Sequence, residues 1–126
     1  MQEKIKELMT HMPHTIGSGV SLNKAKEKML EHHCHHLPVL DGGKLVGVIS
    51  DKDLDYVYNF DNHEDTIVED IMNDDLVIVN PEDELKGVLE TMLDQRINSV
   101  IVSAGQGETW GIFTTTDLIR LYIKKH

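Results

Sequence analysis

Two heptapeptides decide how this chain is read: Gly47-Val48-Ile49-Ser50-Asp51-Lys52-Asp53 and Gly111-Ile112-Phe113-Thr114-Thr115-Thr116-Asp117. Both have the form Gly-apolar-apolar-Ser/Thr-x-x-Asp, a short strand running into a helix. A Ser or Thr followed three residues later by an acid is a capping box. The hydroxyl takes an orphan amide of the first turn, and the carboxylate bonds back to the cap amide. One such motif alone is an ordinary helix start. The same geometry also suits a ligand. A helix N-terminus presents free amides and a positive partial charge, which attract phosphate. A hydroxyl there can donate to phosphate oxygen, and a nearby carboxylate can accept both hydroxyls of a ribose. Gly47 and Gly111 would let backbone and ligand approach closely.

Outward from these motifs the chain repeats itself. A shift of 63 residues aligns Met9 with Met72, Leu22 with Leu85, Met29 with Met92 and Val39 with Val102. After one insertion near Gly105-Gln106-Gly107 the shift is 64, and Gly47 meets Gly111 and Asp53 meets Asp117. Each half then reads in the same order. A short amphipathic segment ends at Met9 or Met72, the second opened by a capping box from Thr66 to Glu69. A short strand covers His14 to Gly17 or Leu76 to Val79. A helix follows, capped by Ser21 with the stripe Leu22, Ala25, Met29 and Leu30. Its counterpart is capped by Asn80, with Pro81 at the first helical position, Glu82 and Asp83 on the dipole, and Leu85, Val88, Leu89 and Met92 as the stripe. Leu37-Pro38-Val39-Leu40 and Leu45 to Ile49 flank the hairpin signal Asp41-Gly42-Gly43. Ser99 to Val102 and Trp110 to Phe113 are their counterparts, and Trp110 is expected to pack in the second hairpin. A last helix begins at Asp53 or Asp117, with Leu54 or Leu118 behind it.

Each half is therefore β-α-β-β-α, with a parallel, right-handed first crossover and an antiparallel second pair. A unit of about 60 residues is marginal alone. The expected fold is α+β: two β-α-β-β-α repeats packed sheet to sheet with pseudo-twofold symmetry, residues 1–60 and 61–126, and two matching clefts. Asp61-Asn62-His63-Glu64-Asp65 reads as the linker. The segment from Met1 to Met12 either packs against a second subunit or covers the sheet.

Composition narrows the function. The 126 residues are 40% hydrophobic and 27% charged, a globular balance. Twelve basic residues face 22 acidic ones, for a net charge of −10, which argues against nucleic acid or an anionic membrane as partner. Cys34 is the single cysteine, so no intrachain disulfide forms, and a reducing compartment is the simplest reading. No signal-peptide core and no membrane-length apolar run is present. The expectation is a soluble cytoplasmic protein.

The duplicated order, His36-Leu37-Pro38-Val39-Leu40-Asp41 before a hairpin, and the Gly-x-x-Ser/Thr-x-x-Asp closing each half together resemble the cystathionine-β-synthase (CBS) domain family, from about Leu8 to Leu121. The resemblance implies a disc-like tandem pair that binds AMP, ADP, ATP or S-adenosylmethionine in clefts between repeats. It implies regulation of an attached or partner protein, and pairing as a homodimer. It further implies two sets of site residues. In the first, Asp117 takes the ribose and Thr114 and Thr116 contact phosphate or ribose, opposite Thr15, Ile16, Cys34, His35 and His36. In the second, Asp53 and Ser50 play these parts, facing Val77, Ile78, Ile97, Asn98 and Ser99. Adenine would lie between apolar side chains. Asp51 repels phosphate in the second set and Lys52 partly offsets it, so charge favours the first. Arg96 and Arg120 are the only arginines near, which favours AMP or ADP over ATP.

His32-His33-Cys34-His35-His36 invites a metal reading, since imidazole and thiolate suit zinc, copper or nickel. Successive side chains diverge, however, and Leu37-Pro38 ends the helix before His36 can turn back toward His32. No metal is expected. The run is an exposed helix end, or His35 and His36 contact the ligand, where a protonated imidazole would make affinity pH-sensitive. No Ser-His-Asp arrangement, phosphate loop or zinc-hydrolase spacing points to an enzyme. A structural or dimerisation module with empty clefts is the competing class.

Overall fold

The computed structural model describes residues 3–12, 14–58, 63–105 and 111–126. A 3-10 turn (Ile5–Glu7) precedes β1 (Thr10–His11), β2 (Ile16–Gly17), α1 (Leu22–His32), β3 (His36–Asp41), β4 (Lys44–Ser50) and α2 (Asp51–Tyr58). A second 3-10 turn (His63–Asp65) leads into α3 (Val68–Ile71), β5 (Ile78–Val79), α4 (Leu85–Gln95), β6 (Ser99–Val102), β7 (Gly111–Thr114) and α5 (Thr115–Lys125). The expected β-α-β-β-α order is found in both halves, in an α+β fold with one sheet for each β-α-β-β-α body. Trp110 and the start of the Asp61–Asp65 stretch lie outside the described residues.

The chain forms two compact units, and they do not follow the order of the repeats. One is His14–Leu76; the other joins Met1–Pro13 to Val77–His126. In the first, the sheet runs β2-β3-β4, with β2 parallel and β4 antiparallel to β3. Its core of Ile16, Leu22, Ala25, Met29, Leu37, Val39, Ile49 and Leu54 is closed by Val68 of α3. In the second unit the sheet runs β1-β7-β6-β5. Val79, Val88, Met92, Val100, Val102 and Phe113 form its core, closed by Ile5 of the N-terminal segment.

Ile5 and Val68 occupy equivalent positions 63 residues apart. Their amides donate to equivalent carbonyls, Ile5 N to Asp83 O (2.8 Å) and Val68 N to Val20 O (2.8 Å). The return bonds also match: Leu85 N to Glu3 O (2.9 Å) and Leu22 N to Thr66 O (3.3 Å). Thr10 pairs with Ile112 in β7, and Asn73 forms the equivalent bridge to Val48. Each leading segment therefore docks on the β-α-β-β-α body of the other repeat. This settles the N-terminal segment as part of the unit that holds Val77–His126.

Local chemistry explains most element ends. Ser21 Oγ accepts Lys24 N (3.3 Å), the cap expected for α1. Gly42 and Gly43 have φ of 59° and 84°, the two positive values a two-residue type I′ hairpin loop requires. Pro38 sits in a central strand, where a missing N–H is normally costly. Val48 spends both backbone groups on Asn73, so Pro38 opposite it owes β4 nothing, and β2 pairs only with Val39 and Leu40. In the other unit the equivalent residue is Ile101, whose amide donates to Val77 O (2.9 Å).

Three expectations need correction. Asn80 and Pro81 do not open α4. Asn80 Oδ1 accepts Glu82 N (2.9 Å) and Asp83 Oδ2 accepts Asn80 N (2.9 Å), making a separate turn. Its Pro81 and Asp83 carbonyls are taken by Lys6 N and Ile5 N, so the helix begins one turn later at Leu85. The start of α3 is also displaced: Asp70 rather than Glu69 bonds back, to Ile67 N (3.1 Å). Leu30 is 67% exposed, outside the buried stripe of Leu22, Ala25 and Met29.

Candidate functional site

Both heptapeptides fold as capping boxes. Asp53 Oδ2 accepts Ser50 N (3.0 Å) and Ser50 Oγ (2.9 Å), while Asp53 N donates to Ser50 Oγ (3.2 Å). Asp117 Oδ2 accepts Thr114 N (2.9 Å) and Thr114 Oγ1 (3.1 Å), while Asp117 N donates to Thr114 Oγ1 (3.2 Å). Each carboxylate is thus fixed at a helix start by one of its oxygens. The other oxygen remains to be accounted for. Asp117 Oδ1 accepts the hydroxyl of Thr10 (3.0 Å) and lies 3.8 Å from Arg120 Nη1. Asp53 Oδ1 has no hydrogen-bond partner among the described residues.

Strand register sorts the remaining candidates by face. In the second unit Thr10, Ile112, Ile101 and Ile78 form one row across the sheet, and Ser99 pairs with Thr114 two residues along. Side chains alternate along a strand, so Ser99, Thr114, Ile78 and Thr10 share a face. Val79, Val100, Val102 and Phe113 point the other way, into the core. Ile78 is 54% exposed, a large apolar side chain on the face that carries the hydroxyls. Asn98 is exposed and its carbonyl accepts Thr115 N (3.0 Å), just ahead of Asp117. Thr116 is exposed in the first turn of α5, and Val77 and Ile97 pack partly on the core.

The unit His14–Leu76 repeats the pattern. His36 pairs with Ser50, away from the core face of Leu37, Val39 and Ile49. Ile16 is on the core face, so its side chain packs inward. Thr15 is half-buried and its carbonyl accepts Lys28 Nζ. His35 and Asp51 form a pair, Nδ1 to Oδ2 at 2.7 Å, so the acid expected to repel phosphate is held by one of the histidines expected to attract it.

The histidine run disperses. His32 ends α1 and stacks on His14 with ring centroids 3.7 Å apart. His33 is the left-handed residue after the helix, and His35 and His36 go to Asp51 and to the strand opposite Ser50. Cys34 donates its amide to Met29 O (3.0 Å) and packs on the core as the residue that closes the helix end. Partial burial pushes its thiol above the ordinary cysteine value. Gly47 and Gly111 serve packing where close ligand approach was expected. A Cβ on Gly47 would stand 2.5 Å from Met72 Sδ, and one on Gly111 2.3 Å from Met9 Sδ. Among the described residues, Thr10 is the one bonded to a candidate carboxylate that sequence reasoning missed. Only the docking of the N-terminal segment brings it to Asp117.

Two β-α-β-β-α bodies, each with a carboxylate fixed at the start of its last helix, define a duplicated α+β module. The CBS domain family matches residues 5–58 and 68–124, and the chain belongs to that family. The CBS domain pair of protein MJ0100, in complex with 5′-methylthioadenosine and S-adenosyl-L-methionine, superposes with a TM-score of 0.82 at 26% identity, over 100% of each chain. A putative acetoin utilization protein from Vibrio cholerae gives a TM-score of 0.74 at 28% identity, over 98% of this chain and 93% of that one. The L-aspartate semialdehyde sulfurtransferase of Methanocaldococcus jannaschii is 29% identical over 94% of this chain, which spans only 23% of that enzyme's length. A CBS pair is typically a regulatory module, and enzymes among its relatives are much longer chains of which it matches a part. No helix among the described residues is long and apolar enough to cross a membrane.

Proposed function

We propose that this chain is a non-catalytic regulatory module that binds an adenosine-containing ligand and passes the binding state to a partner protein. The carrying observation is the pair of carboxylates, Asp53 and Asp117, each fixed by one oxygen to a helix start. A ribose offers two hydroxyl donors to such a group, and phosphate or another anionic group suits the helix amides and the hydroxyls of Ser50, Thr114 and Thr116. Ile78 supplies an exposed apolar surface for adenine. Thr15, Ile16, Cys34, His35, His36, Val77, Ile97, Asn98 and Ser99 complete the two binding sets in this reading. The scarcity of arginine favours AMP or ADP over ATP. The ligands of the MJ0100 pair make S-adenosylmethionine and methylthioadenosine the second reading. The mechanism is a population shift: ligand binds one arrangement of the pair better, and a partner reads the change.

Calorimetric titration with AMP, ADP, ATP, S-adenosylmethionine and methylthioadenosine tests this. At least one is expected to bind. Asp53→Asn together with Asp117→Asn should weaken it by tenfold or more, the order expected for charge-assisted bonds, without loss of fold by circular dichroism. Heat from none of the five, or unchanged affinity in the double variant, overturns the reading. We further propose a cytoplasmic homodimer. The α5 face bearing Ile119, Tyr122 and Ile123, 58%, 64% and 68% exposed, is the candidate contact, and sedimentation of an Ile123→Glu variant as monomer against wild-type dimer tests it.

A further inference from the structure

The two capping boxes match bond for bond, yet their carboxylates are not equally available. A ribose approaching either Asp needs the oxygen that the capping box leaves over. On Asp117 that oxygen, Oδ1, already accepts the Thr10 hydroxyl at 3.0 Å, with Arg120 Nη1 at 3.8 Å, and the side chain is only 10% exposed. On Asp53 no described residue occupies Oδ1. The difference traces to one position of the leading segments. Thr10 and Asn73 hold equivalent places, each bridged to the residue two before its cap, Ile112 or Val48. Threonine reaches the carboxylate. Asn73 turns its side chain into its own loop instead, where Oδ1 accepts Asp75 N at 3.0 Å.

We infer that Thr10 is a built-in competitor for the ribose position on Asp117, so that Asp53 is the high-affinity carboxylate and Asp117 fills second. The inference rests on the ribose-binding reading of both aspartates. It reverses the order that charge counting suggests, because the free oxygen of Asp117 is the one already occupied by Thr10. It also gives the second binding event a consequence. A ligand that takes Asp117 Oδ1 releases the hydroxyl that ties β1 to α5, and with it part of what holds the N-terminal segment to the rest of its unit.

The test is a titration of 15N-labelled protein with AMP, repeated with S-adenosylmethionine, following the amides of Asp53 and Asp117. In the wild type the Asp53 amide should saturate at a ligand concentration about threefold to tenfold lower, a surface-weakened version of one bond to a charged group. Thr10→Val keeps the branched shape and strand pairing but removes the hydroxyl. It should bring Asp117 to within about twofold of Asp53, and Thr10→Ser should restore the wild-type order. Asn73→Thr should weaken Asp53. Saturation of Asp117 first in the wild type, or a Thr10→Val profile within twofold of wild type, overturns the inference. If binding persists and is abolished by Asp117→Asn while Thr10→Val changes nothing, only the competitor role fails. If neither amide moves with either ligand, the ribose reading fails and takes this inference with it.

Discussion

Arg96 and His33 hold left-handed backbone at φ of 56° and 54°, a region that costs an L-residue about 1–2 kcal/mol relative to glycine's free access. Each closes a helix. Arg96 N donates to Leu93 O (3.2 Å) and Ile97 N to Met92 O (3.0 Å), with the same pattern from His33 and Cys34. Both side chains are exposed, so little packing is lost on truncation. Arg96→Gly should therefore stabilise the fold by about 0.5–1 kcal/mol, the conformational gain less glycine's extra chain entropy. A higher urea midpoint with unchanged slope is the expected result, and a lower midpoint contradicts it. This geometry gives Cys34 and Ile97 a structural duty, since each is the apolar residue that folds back on a core methionine. The sequence showed a histidine run and a helix end. It did not show that Cys34 is the counterpart of an isoleucine until the repeat was aligned and the backbone placed both after a left-handed residue.

At the level of elements, the local signals were legible and the docking was not. Ser21, the Asp41-Gly42-Gly43 hairpin and both Gly-x-x-Ser/Thr-x-x-Asp starts act within a few residues of chain, so spacing alone reveals them. Asn80 and Pro81 look like a helix start because the same local bonds make a good turn. What moves the helix to Leu85 is the bonding of Glu3, Ile5 and Lys6 to this turn from more than seventy positions away, which no local pattern carries. The glycines illustrate the same point. Their spacing suggests room for a ligand, and a methionine of the docked segment packs against each. Gly111→Ala would force Met9 Sδ away from a carbon placed 2.3 Å off, and overpacking of this kind costs about 1–3 kcal/mol. Because the clash is with one flexible side chain, Met9→Ala should relieve most of it. A double-mutant cycle by urea unfolding should show coupling of at least about 1 kcal/mol. Additive single effects would mean that the two do not touch.

For the whole molecule, a duplicated chain leaves one question that sequence cannot answer. Met9 and Met72, or Ile5 and Val68, are equivalent, so each could pack on either body with similar contacts. The structure has each leading segment on the body of the other repeat. One compact unit, His14–Leu76, is therefore a continuous stretch of chain, while the other needs residues from both termini. The two should behave differently when cut apart. A fragment of residues 14–76 contains its own closing residue, Val68, which is fully buried. A fragment of residues 77–126 lacks Ile5, also fully buried, whose loss removes burial of the size that costs about 2–5 kcal/mol on truncation to alanine. Against the few kcal/mol available to so small a domain, that deficit decides folding. The first fragment should unfold cooperatively in urea. The second should lack a cooperative transition until a peptide of residues 1–13 is added in trans. An Ile5→Ala peptide should fail to restore it, because the backbone bonds to Pro81 and Asp83 are retained while the buried side chain is gone. If residues 77–126 fold without the peptide, the N-terminal segment only covers a body that is already stable. If residues 1–60 fold as well as residues 14–76, the leading segment has no fixed allegiance and the crossed arrangement is one of two.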